Sequence, residues 1–98
     1  PADVPVVEMI DIPVEARIKI EENDSVMVEG LNFPASDRKL RGLADHLIGL
    51  KRMADAQSTP FFVTLDPTPE TNHRRIVDVM DACAMADVKN LTFARRDT

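Results

Sequence analysis

The last third of the chain constrains its fold most, because it has the pattern of a single βαβ unit. Residues 61–65 (FFVTL) form an apolar run that predicts a strand, and an Asp-Pro loop follows it. Residues 76–82 (IVDVMDA) have helical periodicity, and residues 91–93 (LTF) predict another short strand. Two parallel strands joined by a helix need further strands beside them and a core to cover them. The first two thirds of the chain must therefore complete a small sheet.

The clearest strand pattern lies at residues 14–21, where apolar and charged residues alternate strictly. Its apolar members are Val14, Ala16, Ile18 and Ile20. Turn-forming residues and an extended stretch at 26–29 follow, so we predict an antiparallel hairpin. Gly30 is expected to end the second strand with a positive φ. Residues 31–33 are interpreted as a short extended piece.

Two helices are predicted, each with a polar residue that can accept hydrogen bonds from the first free N–H groups. The first is capped by Ser36 or Asp37 and runs to about Gln57. Its expected apolar stripe comprises Leu40, Leu43, Ala44, Leu47, Ile48, Leu50, Met53 and Ala54. The second is capped by Thr71 or Asn72. Its expected buried residues are Ile76, Val77, Met80, Cys83 and Ala84.

The predicted order of elements is β-β-α-β-α-β, with a last strand at 89–94. Right-handed crossovers place both helices on one face of a small mixed sheet, so the fold class is α/β (α+β), a two-layer sandwich. A length of 98 residues allows one domain. We assign this domain to residues 14–98 and interpret residues 1–13, which contain three prolines, as an extended linker or an exchanged edge strand.

The leader 1–13 carries apolar residues with no obvious place in a monomer of this size. We hypothesise that they pair with a sheet edge or with a second copy of the chain. These candidate dimer or strand-exchange residues are Val4, Val6, Val7, Met9 and Ile10.

The sequence lacks the residue patterns that most catalytic and ligand-binding sites require. Cys83 lies among apolar helix residues and is expected to be a buried structural cysteine. His46 and His73 are too far apart to make a zinc site without help, and the glycines form no phosphate-binding loop. Asp78 and Asp81 are interpreted as part of a solvated helix face. We therefore expect no metal, no cofactor and no enzymatic activity.

The overall charge, the cysteine count and the hydropathy limit the classes of partner and environment that we expect for the chain. A net charge of −5 argues against binding to a nucleic-acid backbone. A single cysteine excludes an intrachain disulfide, and no apolar stretch is long enough to span a membrane. We expect the chain to be a soluble segment of a longer protein.

One local arrangement suggests a binding site. His73, Arg74 and Arg75 place two positive charges in the first turn of the second helix, where the macrodipole favours anions. We hypothesise that this turn contacts an anionic or carboxylate partner just beyond the loop that starts at Asp66. Screened surface charge without a partner is the alternative.

Three segments of the last third also resemble a known family. Residues 61–66, 76–82 and 86–91 resemble the carboxy-terminal half of the periplasmic domain of the ExbD/TolR family. Its pattern is an apolar strand ending in Asp, a loop, a helix reading V-x-x-V-M-D-A, an Ala-Gly turn and a final strand. The likeness extends less specifically over residues 14–94.

The chain departs from this family pattern at two positions. His73 stands in a longer loop, near where the family often has Tyr, so contacts built on that Tyr do not carry over. Asp87 stands where the family usually has Gly, and because Asp tolerates a left-handed conformation the turn is expected to survive.

The resemblance implies a function as well as a fold. Members are single-pass inner-membrane proteins that act as dimers with an ExbB/TolQ-like channel subunit, through a transmembrane helix that this chain lacks. They convert proton-motive force into work on an envelope partner. The resemblance therefore implies a non-catalytic periplasmic domain that binds itself and a TonB-like protein or peptidoglycan. The alternative is a soluble ligand-sensing regulatory α/β domain, whose usual βαββαβ order differs from the order predicted here.

Overall fold

A computed structural model of the chain describes residues 13–94. They form two helices and five strands, and the strands make one mixed sheet with the order β3-β2-β1-β4-β5. The elements are β1 (Val14–Ile20), β2 (Val26–Val28), β3 (Leu31–Phe33), α1 (Arg41–Ala56), β4 (Phe61–Pro67), α2 (His73–Met85) and β5 (Asn90–Phe93).

The two halves of the sheet differ in direction. β1, β2 and β3 are antiparallel neighbours, whereas β1, β4 and β5 run parallel. The β1–β4 ladder extends from Val14 opposite Phe61 to Ile20 opposite Pro67. This arrangement confirms the predicted two-layer α/β (α+β) sandwich.

The third strand corrects the predicted order. Residues 31–33, interpreted as a short extended piece, pair with β2 as β3, with Leu31 opposite Val28. The observed order is therefore β-β-β-α-β-α-β rather than β-β-α-β-α-β. A three-residue strand has too few residues for alternation to identify it, and its partner strand is what defines it.

Both helices cover the same face of the sheet, because the residues that alternate toward that face are buried and their neighbours are exposed. The buried strand residues are Ala16, Ile18, Ile20, Val26, Val28, Phe61, Val63 and Leu65. α1 adds Leu43, Ala44, Leu47 and Ala54, and α2 adds Val79, Ala82 and Cys83. On area-based scales each fully buried aliphatic side chain contributes about 1.5–3 kcal/mol, so this layer supplies the main stabilisation.

The buried side of α2 was predicted only in part. Cys83 is buried as predicted, but Val77, Met80 and Ala84 are exposed, and so is Met53 of α1. The physical reason is that α2 has apolar residues on most of its circumference, so periodicity alone did not define one stripe. The observed stripe is rotated so that Arg75 and the residues one and two turns after it face inward.

The start of α1 also differs from the prediction. The helix begins at Arg41, and its N-cap is Leu40 in a left-handed conformation with φ 51°. Neither Ser36 nor Asp37 is the cap, although Asp37 Oδ1 accepts a hydrogen bond from the Leu40 N–H at 3.1 Å. Leu40 is fully buried, so burial of its side chain accompanies a backbone conformation that is unusual for leucine.

Both helices end in the same way. Ser58 and Asp87 adopt left-handed conformations, with φ 54° and 59° respectively. The N–H of Val88 donates to the Cys83 carbonyl and that of Asp87 to Ala84, the pattern of a Schellman motif. The expectation that Asp87 permits this turn is confirmed, as is the positive φ of Gly30, which is 83°.

Candidate functional site

The candidate site lies where β4 passes into α2. Asn72 caps α2, as predicted, with its Oδ1 accepting from the Arg74 N–H at 3.0 Å. Thr71 does not cap the helix; its hydroxyl donates to the Ile20 carbonyl at 3.0 Å. The Thr68 hydroxyl lies 2.8 Å from that of Thr71, and must be the donor there because the Thr71 proton is already used. The loop is thereby held against the end of β1.

Arg75 is the central side chain of this region, and it is only 2% exposed. Its Nε donates to the Asp24 carbonyl at 2.7 Å, Nη1 to the Asp37 carbonyl at 3.2 Å, and Nη2 to the Pro34 carbonyl at 3.0 Å. Nη1 also lies 3.4 Å from Asp78 Oδ2. The planar guanidinium thus binds three main-chain oxygens and one carboxylate. It ties the first turn of α2 to the β1–β2 turn and to the segment before α1.

The residues predicted to bind a partner do not all lie at one place on the surface. Arg75 is inside the molecule, so the surface role predicted for it does not fit its position. His73 and Arg74 are exposed beside it and remain available at the surface. Asp66 lies elsewhere: it shares the helix-free face of the sheet with Arg17, whose Nε and Nη2 lie 3.3 Å and 3.1 Å from Asp66 Oδ2. The structure therefore brings His73 and Arg74 together but not Asp66.

The sequence contained one signal of the Arg75 network. Positive charge in the first turn of α2 is unusual, and for Arg75 the structure gives an internal role, because its acceptor carbonyls belong to Asp24, Pro34 and Asp37. Main-chain oxygens carry no residue signature, so no motif could identify them as partners.

A concavity of about 380 Å³ opens beside the network. It is lined by Asp24, Ala35, Arg38, Asn72, Arg74, Arg75 and Asp78. Within residues 13–94 no group bonds to Asp24 Oδ1, which is buried. The polar network is therefore complete around Arg75 and incomplete at the β1–β2 turn.

The other chemically reactive residues have structural surroundings. Cys83 is buried, as predicted, and burial raises the pKa of its thiol to about 11. His46 Nε2 lies 2.8 Å from Glu29 Oε1, a contact that joins α1 to the turn between β2 and β3. Within the described part of the chain, no three His, Cys, Asp or Glu side chains are grouped as they would be to hold a metal ion.

The two edges of the sheet are unequal. β3 has three residues and is followed directly by Pro34, two features that discourage pairing with another chain. β5 has four, and no strand in the described range covers its outer side. Because the Ala94 N–H donates inward to Leu65, alternation turns the N–H groups of Leu91 and Phe93 outward.

One exposed apolar side chain belongs to the edge strand β5 itself. Phe93 is 47% exposed. The strand-exchange candidates Val4, Val6, Val7, Met9 and Ile10 lie outside the described residues, so their pairing stays a prediction.

Over residues 13–94, none of the helices combines the length and apolar character needed to cross a bilayer.

Comparisons with known families and curated proteins add no relative. A scan against models of protein families and a search of curated proteins both find no match to this chain.

Proposed function

We propose that this chain is a non-catalytic periplasmic domain of a proton-motive-force-driven motor complex of the ExbB–ExbD or TolQ–TolR type. In this role it dimerises and binds an envelope partner, either a TonB-like segment or peptidoglycan. The proposal is supported by the resemblance of residues 61–66, 76–82 and 86–91, which form β4, most of α2 and the turn into β5. These elements form one contiguous βαβ unit.

The observation that carries the proposal is the outer edge of that unit, which no strand within residues 13–94 covers. The outward N–H groups of Leu91 and Phe93 can accept an added strand, since main-chain hydrogen bonds give affinity in this mode of recognition. The exposed side chain of Phe93 supplies apolar contact on the same strand. A domain that presents this edge is suited to binding an extended segment.

The reactive residues of the described range support a binding role rather than catalysis. The raised pKa of the Cys83 thiol and its burial disfavour a nucleophilic thiolate. His46 is engaged with Glu29, away from Cys83 on the other helix. The alternative, a ligand-sensing regulatory domain, has less support, because its usual βαββαβ order differs from the order observed here.

The first experiment identifies the complex. The protein, tagged at its chromosomal locus, is purified from detergent-solubilised inner membrane, and co-purifying proteins are identified by mass spectrometry. We expect an ExbB/TolQ-like channel subunit. Recovery only in the cytosolic fraction, with no channel subunit, would contradict the motor function and favour the regulatory alternative.

The second experiment locates the binding edge. A photo-cross-linking amino acid replaces Phe93 on β5 or, as the matched control, Asn32 on the opposite edge strand β3. We expect cross-links from position 93 to a second copy or to a TonB-like protein, lost when a protonophore collapses the proton-motive force. Equal cross-linking from both positions would show that β5 has no special role.

Strand addition is then separated from side-chain contact with two variants at one position. Phe93→Ala removes the ring but keeps the outward N–H, whereas Phe93→Pro removes both. Sedimentation equilibrium is expected to show a larger loss of self-association for the proline variant. If both variants self-associate equally, the main-chain edge is not the contact.

A further inference from the structure

We infer that Arg38, Lys39, Arg41 and Arg74 form a docking surface for an acidic peptide segment of a partner protein. We call these four residues the basic ridge. The inference rests on the proposed partner-binding function and names the chemistry of the partner.

The basic ridge consists of exposed cations that form no salt bridge within residues 13–94. Among residues 13–94, none of the four forms a salt bridge, whereas Arg17, Lys51, Arg75 and Lys89 each pair with an aspartate. The protein as a whole has a net charge of −5, so a group of unpaired cations is a local reversal of its charge. Such a reversal attracts an anionic partner to one place.

The positions of these cations relative to the helices add to the effect. Lys39 and Arg41 flank the N-cap of α1, and Arg74 lies in the first turn of α2. Neither helix has an acidic residue in its first turn. Because the macrodipole favours anions near a helix N-terminus, these cations oppose it, and an anion bound beside them would be favoured at both helix starts.

Two adjoining concavities connect the ridge. The first, of about 380 Å³, contains Arg38 and Arg74, and the second, of about 310 Å³, contains Arg38, Lys39 and Arg41. They share Arg38 and Asp78, so they lie side by side near the two helix starts. Its second part also contains Asp81 and Met85.

This mixture of groups favours a peptide over other anions. Asp78 and Asp81 line the same concavity as Arg38, Lys39 and Arg41, and they disfavour a phosphate or an anionic lipid headgroup, which offers few hydrogen-bond donors. An acidic peptide supplies carboxylates for the cations and main-chain N–H groups for the two aspartates. Met85, which is 62% exposed, offers it an apolar contact.

The Arg75 network holds the ridge in position. Arg75 binds the carbonyls of Pro34 and Asp37, so it tethers the segment that carries Arg38 and Lys39 to the helix that carries Arg74. Because the backbone that carries these cations is held in place, less backbone freedom is lost when a ligand binds, which favours affinity.

The test uses a fluorescein-labelled peptide of alternating Glu and Ser, with the Gln-Ser peptide as its uncharged match. Binding is measured by fluorescence anisotropy at low and high salt. The double variant Arg38→Gln/Arg41→Gln is compared with Lys19→Gln/Arg52→Gln, which removes the same charge from two other exposed cations that have no salt bridge in the described part of the chain. We expect about tenfold weaker binding in the first and less than about twofold in the second.

Three results would overturn the inference. They are equal weakening in both double variants, equal binding of the Gln-Ser peptide, and stronger binding to phosphatidylglycerol vesicles or inorganic phosphate than to the Glu-Ser peptide. Circular dichroism confirms that each variant is folded. Loss of the ridge inference leaves the motor proposal standing if the channel subunit still co-purifies. If the channel subunit is absent but the Glu-Ser peptide still binds, the motor proposal fails while the ridge inference stands.

Discussion

The two helices begin at the same end of the molecule but are anchored in different ways. α2 is anchored by side chains, with Asn72 capping it and Arg75 binding three distant carbonyls. α1 is anchored by its backbone, with Leu40 in a left-handed conformation and its side chain fully buried. The comparison shows that one end of a small domain can be organised by a polar network and an apolar anchor side by side.

The largest expected effect comes from breaking the polar anchor. Arg75→Met leaves three acceptor carbonyls and Asp78 without their donor, so we expect a loss of about 4 kcal/mol in the free energy of unfolding. Urea denaturation followed by circular dichroism measures it. Arg74→Met, its exposed neighbour, is the matched control and should change stability by less than about 0.5 kcal/mol. Similar losses in the two variants would show that the Arg75 contacts contribute little.

The apolar anchor of α1 comes next. Leu40→Ala removes a fully buried side chain and leaves a cavity, so we expect a loss of about 3 kcal/mol. Lys39→Ala, one residue earlier and exposed, should be close to neutral. Leu40→Gly serves as a second probe, because it relieves the left-handed backbone while losing the same packing. If the glycine variant is as stable as the wild type, backbone strain rather than burial decides the start of α1.

The cap of α2 has a smaller effect. Asn72→Ala removes the acceptor for the Arg74 N–H, and we expect a loss of about 1 kcal/mol. Asn72→Asp keeps an acceptor and should restore most of the stability. An Asp variant as unstable as the Ala variant would mean that the Asn72 side chain acts through some contact other than capping.

Cys83 reports on α2 through a loss of stability that is expected only at high pH. Its pKa is raised from 9.0 to about 11, so the folded state favours the neutral thiol. The resulting stabilisation is complete below pH 9 and is lost as the pH rises toward 11. Denaturation curves of wild type and Cys83→Ala should therefore converge over that range. A constant difference between them would contradict the burial of the thiol.

The same thiol tests the comparison between the two anchors kinetically. Labelling by a disulfide reagent near pH 8 should be slow, because burial limits both the thiolate fraction and access. We expect Arg75→Met to accelerate labelling and Arg74→Met to leave it unchanged. Acceleration in both would show that exposed charge, not the buried network, controls the opening of α2.

Local features of the fold were predictable from the sequence, and distant pairings were not. Strict alternation identified β1, and Asn72 identified the start of α2, because each signal lies within a few residues. β3 was missed as a strand because it is defined by its pairing with β2. The start of α1 was placed too early, because the burial of Leu40 overrode the capping residues before it.

The candidate site was predicted less well than the fold. The unusual charge at the start of α2 was found, but Arg75 proved to be internal and Asp66 lies on the opposite face of the sheet. The separation follows from the side-chain alternation of β4, which points Asp66 away from the helices. The basic ridge includes Arg38, Lys39 and Arg41, which are brought to Arg74 only by tertiary contact.

The parallel arrangement of β1, β4 and β5 has a mechanical consequence. The described chain enters the sheet at Val14, opposite the start of β4, and leaves it after Phe93, opposite Leu65 near the end of β4. A force that pulls these two points apart acts parallel to the strands. The hydrogen bonds within each ladder therefore share that force at the same time. A hairpin pulled open from its ends would instead lose its bonds one at a time. The domain is therefore arranged to resist a force that pulls Val14 and Phe93 apart.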